Sequence, residues 1–296
     1  MANSDTVYLL DASIYIFRAW FGYPDSIVDQ HGRPVNAVYG YWRQLLQGIE
    51  QRTPRYLLAA FDESLFSGFR HQLYPDYKAN RALPDAALAH QLDACRRLTD
   101  ALGVTTRSSQ VYEADDVLAT AANVARTAGF AVDVVSRDKD LAQIVTPGDA
   151  WSDWASGISH GHAALHEQWG VPPAAIPDLL ALTGDAVDNI PGVPKVGKKS
   201  ATVLLQHFGD LENLFSRLDE VLSLPLRGAR TLANQLAAHQ QEALLYRELI
   251  RLHQADCAIE ADDLQRREVD ADQVLAVLQD LDLGNAFVRE WERYRL

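Results

Sequence analysis

Aspartates recur at the ends of apolar runs that have the composition of buried β-strands. Asp11 and Asp62 end two of these runs, and Asp138 and Asp140 follow a third. In an open parallel sheet, ligand sites form outside the carboxyl ends of the strands, so we expect these side chains to converge. Gathered carboxylates repel one another and raise each other's pKa unless cations lie between them. The pattern therefore predicts a site for cations.

Two further acidic groups extend this set. Glu113, Asp115 and Asp116 precede a helical pattern, and Glu113 and Asp116 would share one face of its first turn. Asp185 and Asp188 lie at the end of another helical pattern. Taken singly, each acid also suits a helix N-cap, a loop or a helix-dipole contact. Taken together, oxygen ligands without His or Cys favour Mg²⁺ or Mn²⁺ over zinc. Two such ions roughly 4 Å apart can activate water and stabilise the leaving oxygen in phosphodiester hydrolysis.

A lysine-rich hairpin follows the last acidic group. Residues 190–201 place two glycines around a tight turn and open the next helix with lysines. Such a turn, close to the helix-hairpin-helix form, offers backbone N–H groups and a helix N-terminus to a phosphate without reading bases. The alternative is a lysine-rich surface turn between packed helices. The residues that we expect to contact the DNA backbone are Gly192, Val193, Lys195, Gly197, Lys198 and Lys199.

Cations alternate with aromatic residues in the segment 69–81. Arg70, Tyr77, Lys78 and Arg81 all lie here, a short distance after Asp62. This mixture suits a mobile element that holds a single strand of DNA by charge and stacking, and it is also found on plain surface loops. We expect Arg70 to bind DNA, and Lys78 and Arg81 to neutralise charge on the phosphoryl oxygens during reaction.

The elements that must position these residues form an α/β pattern. Strand-like runs occupy residues 7–10, 56–61, 104–106 and 130–135, and a helical pattern at 117–128 stops at Gly129. From about residue 172 the strand signals end. Helical patterns then occupy residues 179–182, 201–208, 229–252 and 271–294. We predict a parallel sheet flanked by helices, followed by a helical subdomain, without separately tumbling domains.

Composition limits the classes of protein to consider. The chain of 296 residues is 48% hydrophobic, enough for a large folded domain. The net charge of −13 opposes phosphate binding unless bound metal offsets it; two Mg²⁺ ions would supply about four positive charges locally. An ordinary acidic enzyme is the alternative. Cys95 and Cys257 lack partners at ligand spacing, so neither a disulfide framework nor zinc is predicted. Without a signal peptide or a long apolar run, a cytoplasmic protein without membrane contact is expected.

These motifs together resemble the 5′-nuclease family, which includes the N-terminal nuclease domain of bacterial DNA polymerase I, phage 5′-nucleases and, more distantly, flap endonucleases. The resemblance extends over roughly residues 5–290. It implies a PIN-like core at 1–171 with a helical arch at about 66–98, and a helical subdomain at 172–296 with a helix-hairpin-helix motif at about 185–206. The motifs that carry it are Leu10-Asp11, Phe61-Asp62, Tyr77-Lys78-Ala79-Asn80-Arg81, Glu113-Ala114-Asp115-Asp116, Asp138-Lys139-Asp140, Gly184-Asp185 and Asp188-Asn189-Ile190-Pro191-Gly192-Val193.

The resemblance also implies roles for individual residues. Tyr77, Lys78 and Arg81 match arch positions, whose Lys and Arg contact the reacting phosphate, so we expect these three residues to be catalytic. The positions that match ligands of the first metal are Asp11, Asp62, Glu113, Asp115 and Asp116. The positions that match ligands of the second metal are Asp138, Asp140, Asp185 and Asp188.

The expected activity is that of a Mg²⁺-dependent 5′-3′ exonuclease and flap endonuclease acting on DNA with 5′ ends, flaps or branches. Mn²⁺ is expected to substitute for Mg²⁺, and K⁺ to bind at the hairpin. No polymerase domain follows Leu296, so the chain resembles free-standing members that act as monomers with a DNA polymerase in trans. Two rivals remain open: a noncatalytic branched-DNA-binding protein of the same fold, and a PIN-type ribonuclease.

Overall fold

A six-stranded sheet lies at the centre of the computed structural model, which describes residues 6–63, 68–80 and 86–294. The strands are β1 (Thr6–Asp11), β2 (Tyr56–Ala60), β3 (Thr105–Arg107), β4 (Ala131–Val135), β5 (Ala150–Asp153) and β6 (Ile158–Gly161). Their order in the sheet is β3-β2-β1-β4-β5-β6, and every neighbouring pair is parallel except β5 with β6. The predicted α/β fold with a parallel sheet is confirmed.

The hairpin of β5 and β6 was not predicted from the sequence. Its strands are short and lack the continuous apolar run that marks β1 and β4, because β6 is an exposed edge strand. Gly157, with φ of +72°, lies in the turn between them. The rings of Trp151 and His160 stack across the hairpin at 6.0 Å between centroids.

Helices cover both faces of the sheet. They are α1 (Ala12–Gly22), α2 (Asn36–Arg52), α3 (Phe69–Leu73), α4 (Ala86–Ala101), α5 (Ala114–Thr127), α6 (His162–Trp169), α7 (Ile176–Thr183), α8 (Lys198–Phe208), α9 (Leu211–Ser216), α10 (Ala229–Ala238), α11 (Gln240–Ile250), α12 (Ala271–Asp280) and α13 (Asn285–Tyr294). Four short 3₁₀ helices are also described, at Asp140–Ile144, Pro173–Ala175, Leu218–Ser223 and Ala261–Leu264. None of the described helices is long and apolar enough to cross a membrane.

Two of the predicted helices are wrong in extent. The pattern at 229–252 is divided into α10 and α11 because His239 leaves the helical conformation, with φ of −119° and ψ of 26°. The pattern at 271–294 is divided into α12 and α13, and Asp282 between them has a left-handed φ of +56°. In both cases the apolar periodicity continues across a break in the backbone.

Successive side chains of a strand point to opposite faces of the sheet, and this separates two apolar cores. Val7 and Leu9 of β1 face a core that contains α5, α7 and α8, whereas Tyr8 and Leu10 face a core built with α2 and α4. The last two helices join this second core: α12 packs on α4 and α13 packs on α2. Residues 271–294 therefore pack on the core formed with α2 and α4, and not within the helical subdomain that the sequence pattern predicted.

The expected arch at 66–98 is also reduced. From Leu88 onward α4 is packed on α2, with Cys95 and Leu98 completely buried. Within the described part of that range, residues 68–80 lie before this packed helix, and Arg70 and Tyr77 among them are themselves buried. Arg81 lies outside the described residues.

Candidate active site

The carboxyl ends of β2, β1 and β4 lie side by side at one edge of the sheet. Asp11 ends β1 and pairs in register with Ala60, two residues before Asp62. Leu10 pairs with Val135, three residues before Asp138. Two contacts join this edge to neighbouring elements: Ser136 donates a hydrogen bond to Asp11 Oδ2 at 2.8 Å, and Ala114 N donates to Asp62 Oδ1 at 2.7 Å.

Four aspartates at this edge are strongly desolvated. Burial, opposed by the hydrogen bond from Ser136 and reinforced by Asp62 and Asp138, raises the pKa of Asp11 to about 7. Burial and the neighbouring charge of Asp138 raise the pKa of Asp140 to about 8. The pKa values of Asp115 and Asp138 are also raised, again chiefly by burial. These carboxyl groups are crowded together in a region where their charges are poorly hydrated.

Glu113 lies beside this group but has basic partners. Lys78 Nζ donates to Glu113 Oε1 at 2.7 Å, and Tyr77 Oη donates to Glu113 Oε2 at 3.1 Å. Burial would raise the pKa of Glu113, yet the charges of Lys78 and Arg70 lower it to about 2. Glu113 is therefore ionised and already neutralised by the protein.

Asp116 and Arg70 form a buried pair, which corrects the expected roles of both. Arg70 Nη1 and Nη2 donate to Asp116 at 2.5 and 2.9 Å, and the backbone N–H groups of Glu113 and His253 donate to the same carboxylate. All of its acceptor positions are therefore used, so Asp116 has no oxygen left for a metal. Arg70 is 2% exposed and also binds the carbonyls of Leu249 and Arg251, so it cannot contact DNA.

The second acidic turn is joined to the basic-aromatic segment. Asp188 Oδ2 accepts a hydrogen bond from Tyr77 Oη at 3.1 Å and lies 3.9 Å from Lys78 Nζ. Asp188 O accepts from Lys78 N at 3.1 Å, and Asn189 Nδ2 donates to Asp76 O at 2.7 Å. Tyr77, which was expected to be catalytic, is only 2% exposed, so its ring is not open to a DNA base. Its hydroxyl instead joins the two acidic groups.

Asp185 has a different partner. Lys139 Nζ donates to Asp185 Oδ2 at 2.6 Å and lies 3.9 Å from Asp140 Oδ1. Val187 N donates to Asp185 Oδ1 at 2.9 Å. Asp140 Oδ1 itself is buried and receives no hydrogen bond from the described residues. Two acids of different motifs thus share one lysine ammonium.

In the hairpin, some of the expected DNA contacts are buried. Gly192 has φ of +73°, and a Cβ there would lie 2.2 Å from Gly184 N, so this glycine permits two backbone segments to pack. Val193 is 3% exposed and its N–H donates to Leu182 O. Both residues therefore take part in the packing of this turn, and their contact with the DNA backbone stays a prediction. The other four expected contacts are exposed around the start of α8: Lys195, Gly197, Lys198 and Lys199.

The donor set fits a divalent cation in its chemistry. The site offers carboxylates of raised pKa and, in Asp140 Oδ1, a buried oxygen to which no described residue donates a hydrogen bond. Across residues 6–63, 68–80 and 86–294, however, no three acidic, His or Cys side chains are arranged to hold one ion. An ion bound here therefore requires rotation of side chains towards it.

Sequence reasoning missed three residues that support the site. Ser136 is completely buried between β4 and Asp138, and its position directly after the apolar run was the available signal. Lys139 stands between two acids in the sequence. Trp151 Nε1 donates to Asp138 O at 3.1 Å, a contact across the sheet that no local pattern indicates.

Comparison with known proteins gives two family matches that together span most of the chain. Residues 6–170 match the 5′-3′ exonuclease N-terminal resolvase-like domain, and residues 171–272 match the 5′-3′ exonuclease C-terminal SAM fold. Their junction lies next to the boundary predicted at 171 and 172.

Individual relatives agree with these matches. DNA polymerase I of Rhizobium leguminosarum is 37% identical over 85% of this chain and 25% of its own length. DNA polymerase I of Bacillus subtilis strain 168 is 32% identical over 98% of this chain and 32% of its own length. The chain thus spans a third or less of these relatives. A solved complex of the bacteriophage T5 D15 flap endonuclease with DNA and metal ions has a similar fold, with a TM-score of 0.62 and 20% identity over 98% of this chain and all of that one.

Proposed function

The chain belongs to the 5′-3′ exonuclease family, whose members are hydrolytic nucleases, and from this we propose that it cuts DNA phosphodiester bonds at 5′ ends and flaps with two bound Mg²⁺ ions. The observation that supports this most is the crowding of desolvated aspartates where three parallel strands end. When bound, the ions activate water and stabilise charge on the leaving oxygen. Mn²⁺ substitutes because it accepts the same oxygen donors.

The acids divide into two groups in this proposal. Asp11, Asp62, Glu113 and Asp115 hold the first ion, and the second is held by the acids of the motifs at 138–140 and 185–188. The mutual effect on pKa among Asp11, Asp115 and Asp138 supports a common site. Asp116 fixes the start of α5, and therefore the position of its neighbour Asp115, through Arg70.

Lys78 is the proposed contact to the reacting phosphate. Its backbone takes a left-handed φ of +53°, and its side chain is 15% exposed between Glu113 and Asp188. An ammonium held at this place neutralises charge that develops on phosphoryl oxygens. Tyr77 positions Glu113 and Asp188 through its hydroxyl and does not touch DNA. Arg81, which lies outside the described residues, is assigned the same role in this proposal.

The exposed hairpin binds the DNA backbone. Lys198 and Lys199 open α8, whose N-cap is the exposed Gly197, which has no side chain to cap the first N–H groups of the helix. This arrangement binds phosphate regardless of base sequence. The proposal extends to K⁺ at this hairpin, to a monomeric enzyme and to a DNA polymerase acting in trans.

Cleavage of a 5′-labelled flap tests the proposal. The substrate is offered as DNA and as RNA, with Mg²⁺ and with excess EDTA. Cutting of DNA only with Mg²⁺, leaving 5′-phosphates, is expected. Binding without cutting would identify a noncatalytic branched-DNA-binding protein, and preferred cutting of RNA a PIN-type ribonuclease. Mononucleotide products indicate exonuclease action, whereas release of an intact flap indicates endonuclease action.

A further inference from the structure

Lys139 lies between the acids assigned to the second ion. Its ammonium contacts Asp185 Oδ2 at 2.6 Å and lies 3.9 Å from Asp140 Oδ1. Both carboxylates are largely shielded from solvent, with side-chain exposures of 3% for Asp185 and 14% for Asp140. One positive charge therefore serves two acids that are 45 residues apart in the sequence.

The contacts of the individual carboxylate oxygens indicate that the Lys139 ammonium takes the place of a metal ion. Asp185 Oδ1 is occupied by Val187 N, so Oδ2 is the oxygen directed at Lys139. Asp140 Oδ1 is buried and has no hydrogen-bond donor in the part of the chain that the structure describes, although the Lys139 ammonium lies 3.9 Å away. An oxygen in that state is suited to a cation with several coordination positions, more than to a single ammonium. A divalent ion that bound both Asp140 and Asp185 would compete with Lys139 Nζ for Asp185 Oδ2.

We propose that Lys139 is a tethered counter-ion that a divalent cation must displace, so that the competition between the two sets the affinity of the second metal site. This inference rests on the proposed two-ion function. Lys139 is suited to displacement because its side chain is 44% exposed and its long stem reaches solvent without movement of the backbone.

Lys78 provides an internal contrast. It is only 15% exposed, and its backbone N–H is hydrogen-bonded to Asp188 O. Its ammonium donates to Glu113 and lies over the Tyr77 ring at 4.9 Å. Lys78 is therefore held in place. Of these two lysines, Lys139 is the one whose ammonium a divalent ion can displace.

Two measurements on the full chain without DNA test the inference. The first is Mn²⁺ binding by calorimetry, and the second is the thermal midpoint of unfolding in EDTA and in saturating Mn²⁺. The variant is Lys139→Met. The control is Arg137→Met, which removes one positive charge two residues away, where Arg137 pairs with Asp153 at 3.3 Å.

If a divalent ion displaces Lys139, the Lys139→Met variant should bind Mn²⁺ more tightly at the second metal site. The expected gain is about tenfold, the equivalent of one charge-assisted hydrogen bond. Arg137→Met should change that affinity by much less. In EDTA, Lys139→Met should have a lower thermal midpoint than the wild type, and saturating Mn²⁺ should abolish this difference, because linkage requires the two effects to agree. Lys139→Arg, which keeps the charge, should bind Mn²⁺ with nearly wild-type affinity.

Unchanged or weaker Mn²⁺ binding by Lys139→Met overturns the inference while leaving the proposed function intact. So does an equal loss of thermal midpoint with and without Mn²⁺, because Lys139 would then remain on Asp185 in the loaded protein. Equal gains in Mn²⁺ affinity in Lys139→Met and Arg137→Met would mean that loss of any nearby positive charge is sufficient. That result would also overturn the inference. A wild-type protein that binds no divalent ion overturns the proposed function itself.

Discussion

Arg70 and Asp116 form a two-point ion pair in the interior, with Nη1 to Oδ2 at 2.5 Å and Nη2 to Oδ1 at 2.9 Å. Arg70 Nε also donates to Leu249 O at 2.6 Å, so one guanidinium joins α3, α5 and the end of α11. Asp116 has no measurable exposure. The segment that leads to Lys78 is therefore fixed to the helix that presents Asp115 by a charge pair that neither solvent nor DNA reaches.

Loss of this pair should destabilise the fold. Arg70→Met leaves the Asp116 carboxylate buried without its cation, and breaking a buried pair costs about 3–5 kcal/mol. Urea unfolding of the variant should show that loss in the free energy of unfolding. The control is Arg97→Met, which breaks an exposed pair with Asp280 and should cost less than about 1 kcal/mol. An Arg70→Met protein of normal stability but weakened DNA binding would restore Arg70 as a DNA contact.

The acidic edge could be predicted from sequence because its cause is local. Asp11 and Asp62 each end a short apolar run, and parallel strands bring such ends together by geometry alone. Lys78 was likewise marked by its position among aromatic residues. Aspartates placed directly after apolar runs are therefore enough to identify a site of carboxylate chemistry from sequence.

The use of individual side chains could not be predicted, because it depends on distant partners. Arg70 has the same appearance in sequence as a DNA-binding cation, and its partners lie 46 and 179 residues away. Tyr77 is buried because both Glu113 and Asp188 accept from its hydroxyl, which no periodicity shows. The ends of α10 and α12 could not be predicted for a related reason: the apolar spacing in the sequence continues where the backbone leaves the helix.

Stability should fall as pH rises when no divalent ion is present. The pKa of Asp11 is raised to about 7 and that of Asp140 to about 8, chiefly by burial, from an ordinary value of 3.8. Below about pH 4 both states of the protein are protonated at these groups and their contribution to stability is complete; it is lost as pH rises through the folded-state values. Each carboxyl can contribute a slope of at most about 1.4 kcal/mol per pH unit.

Urea unfolding in EDTA at pH 5, 6.5 and 8 measures this slope. The double variant Asp11→Asn, Asp140→Asn should flatten it, since neither amide titrates. Saturating Mg²⁺ should reverse it, because ions bind the deprotonated carboxylates and stabilise the folded state more at higher pH. A wild-type protein whose stability in EDTA is constant or increases over this range would contradict the raised pKa values.

Lys78 should act on the rate of cutting more than on affinity. Lys78→Met removes an ammonium that lies 2.7 Å from Glu113 and 3.9 Å from Asp188, where charge on the reacting phosphate would develop. Single-turnover cleavage of a flap should fall by roughly 10²-fold or more, with a smaller change in the Kd for DNA. Weakened binding with an unchanged rate would make Lys78 a docking residue only.

Trp151 should support the second metal site through its indole N–H. The hydrogen bond to Asp138 O at 3.1 Å fixes the backbone of that acid, and Trp151→Phe removes it while keeping a ring against His160. Mn²⁺ affinity should fall by about tenfold, at the lower end of effects from groups that orient ligands. Trp154→Phe is the matched control, because the indole N–H of Trp154 has no hydrogen-bond partner among the described residues. Equal losses in both variants would mean that ring packing alone is responsible.

The lysines that open α8 should determine the salt dependence of DNA binding. Lys198 and Lys199 are exposed beside the N-terminus of the helix, so each can neutralise one phosphate. The double change to Ala should weaken binding equally for all base sequences and reduce the slope of log K against log salt by about 1–2.

The control for this charge effect is Arg289→Ala with Arg293→Ala. It removes the same charge from α13, which packs on α2, and should leave the slope nearly unchanged. If the hairpin grips duplex DNA as proposed, the defect should be large on flaps with a long downstream duplex and small on short single strands. Equal losses on both substrates would instead identify the hairpin as a packed helical turn.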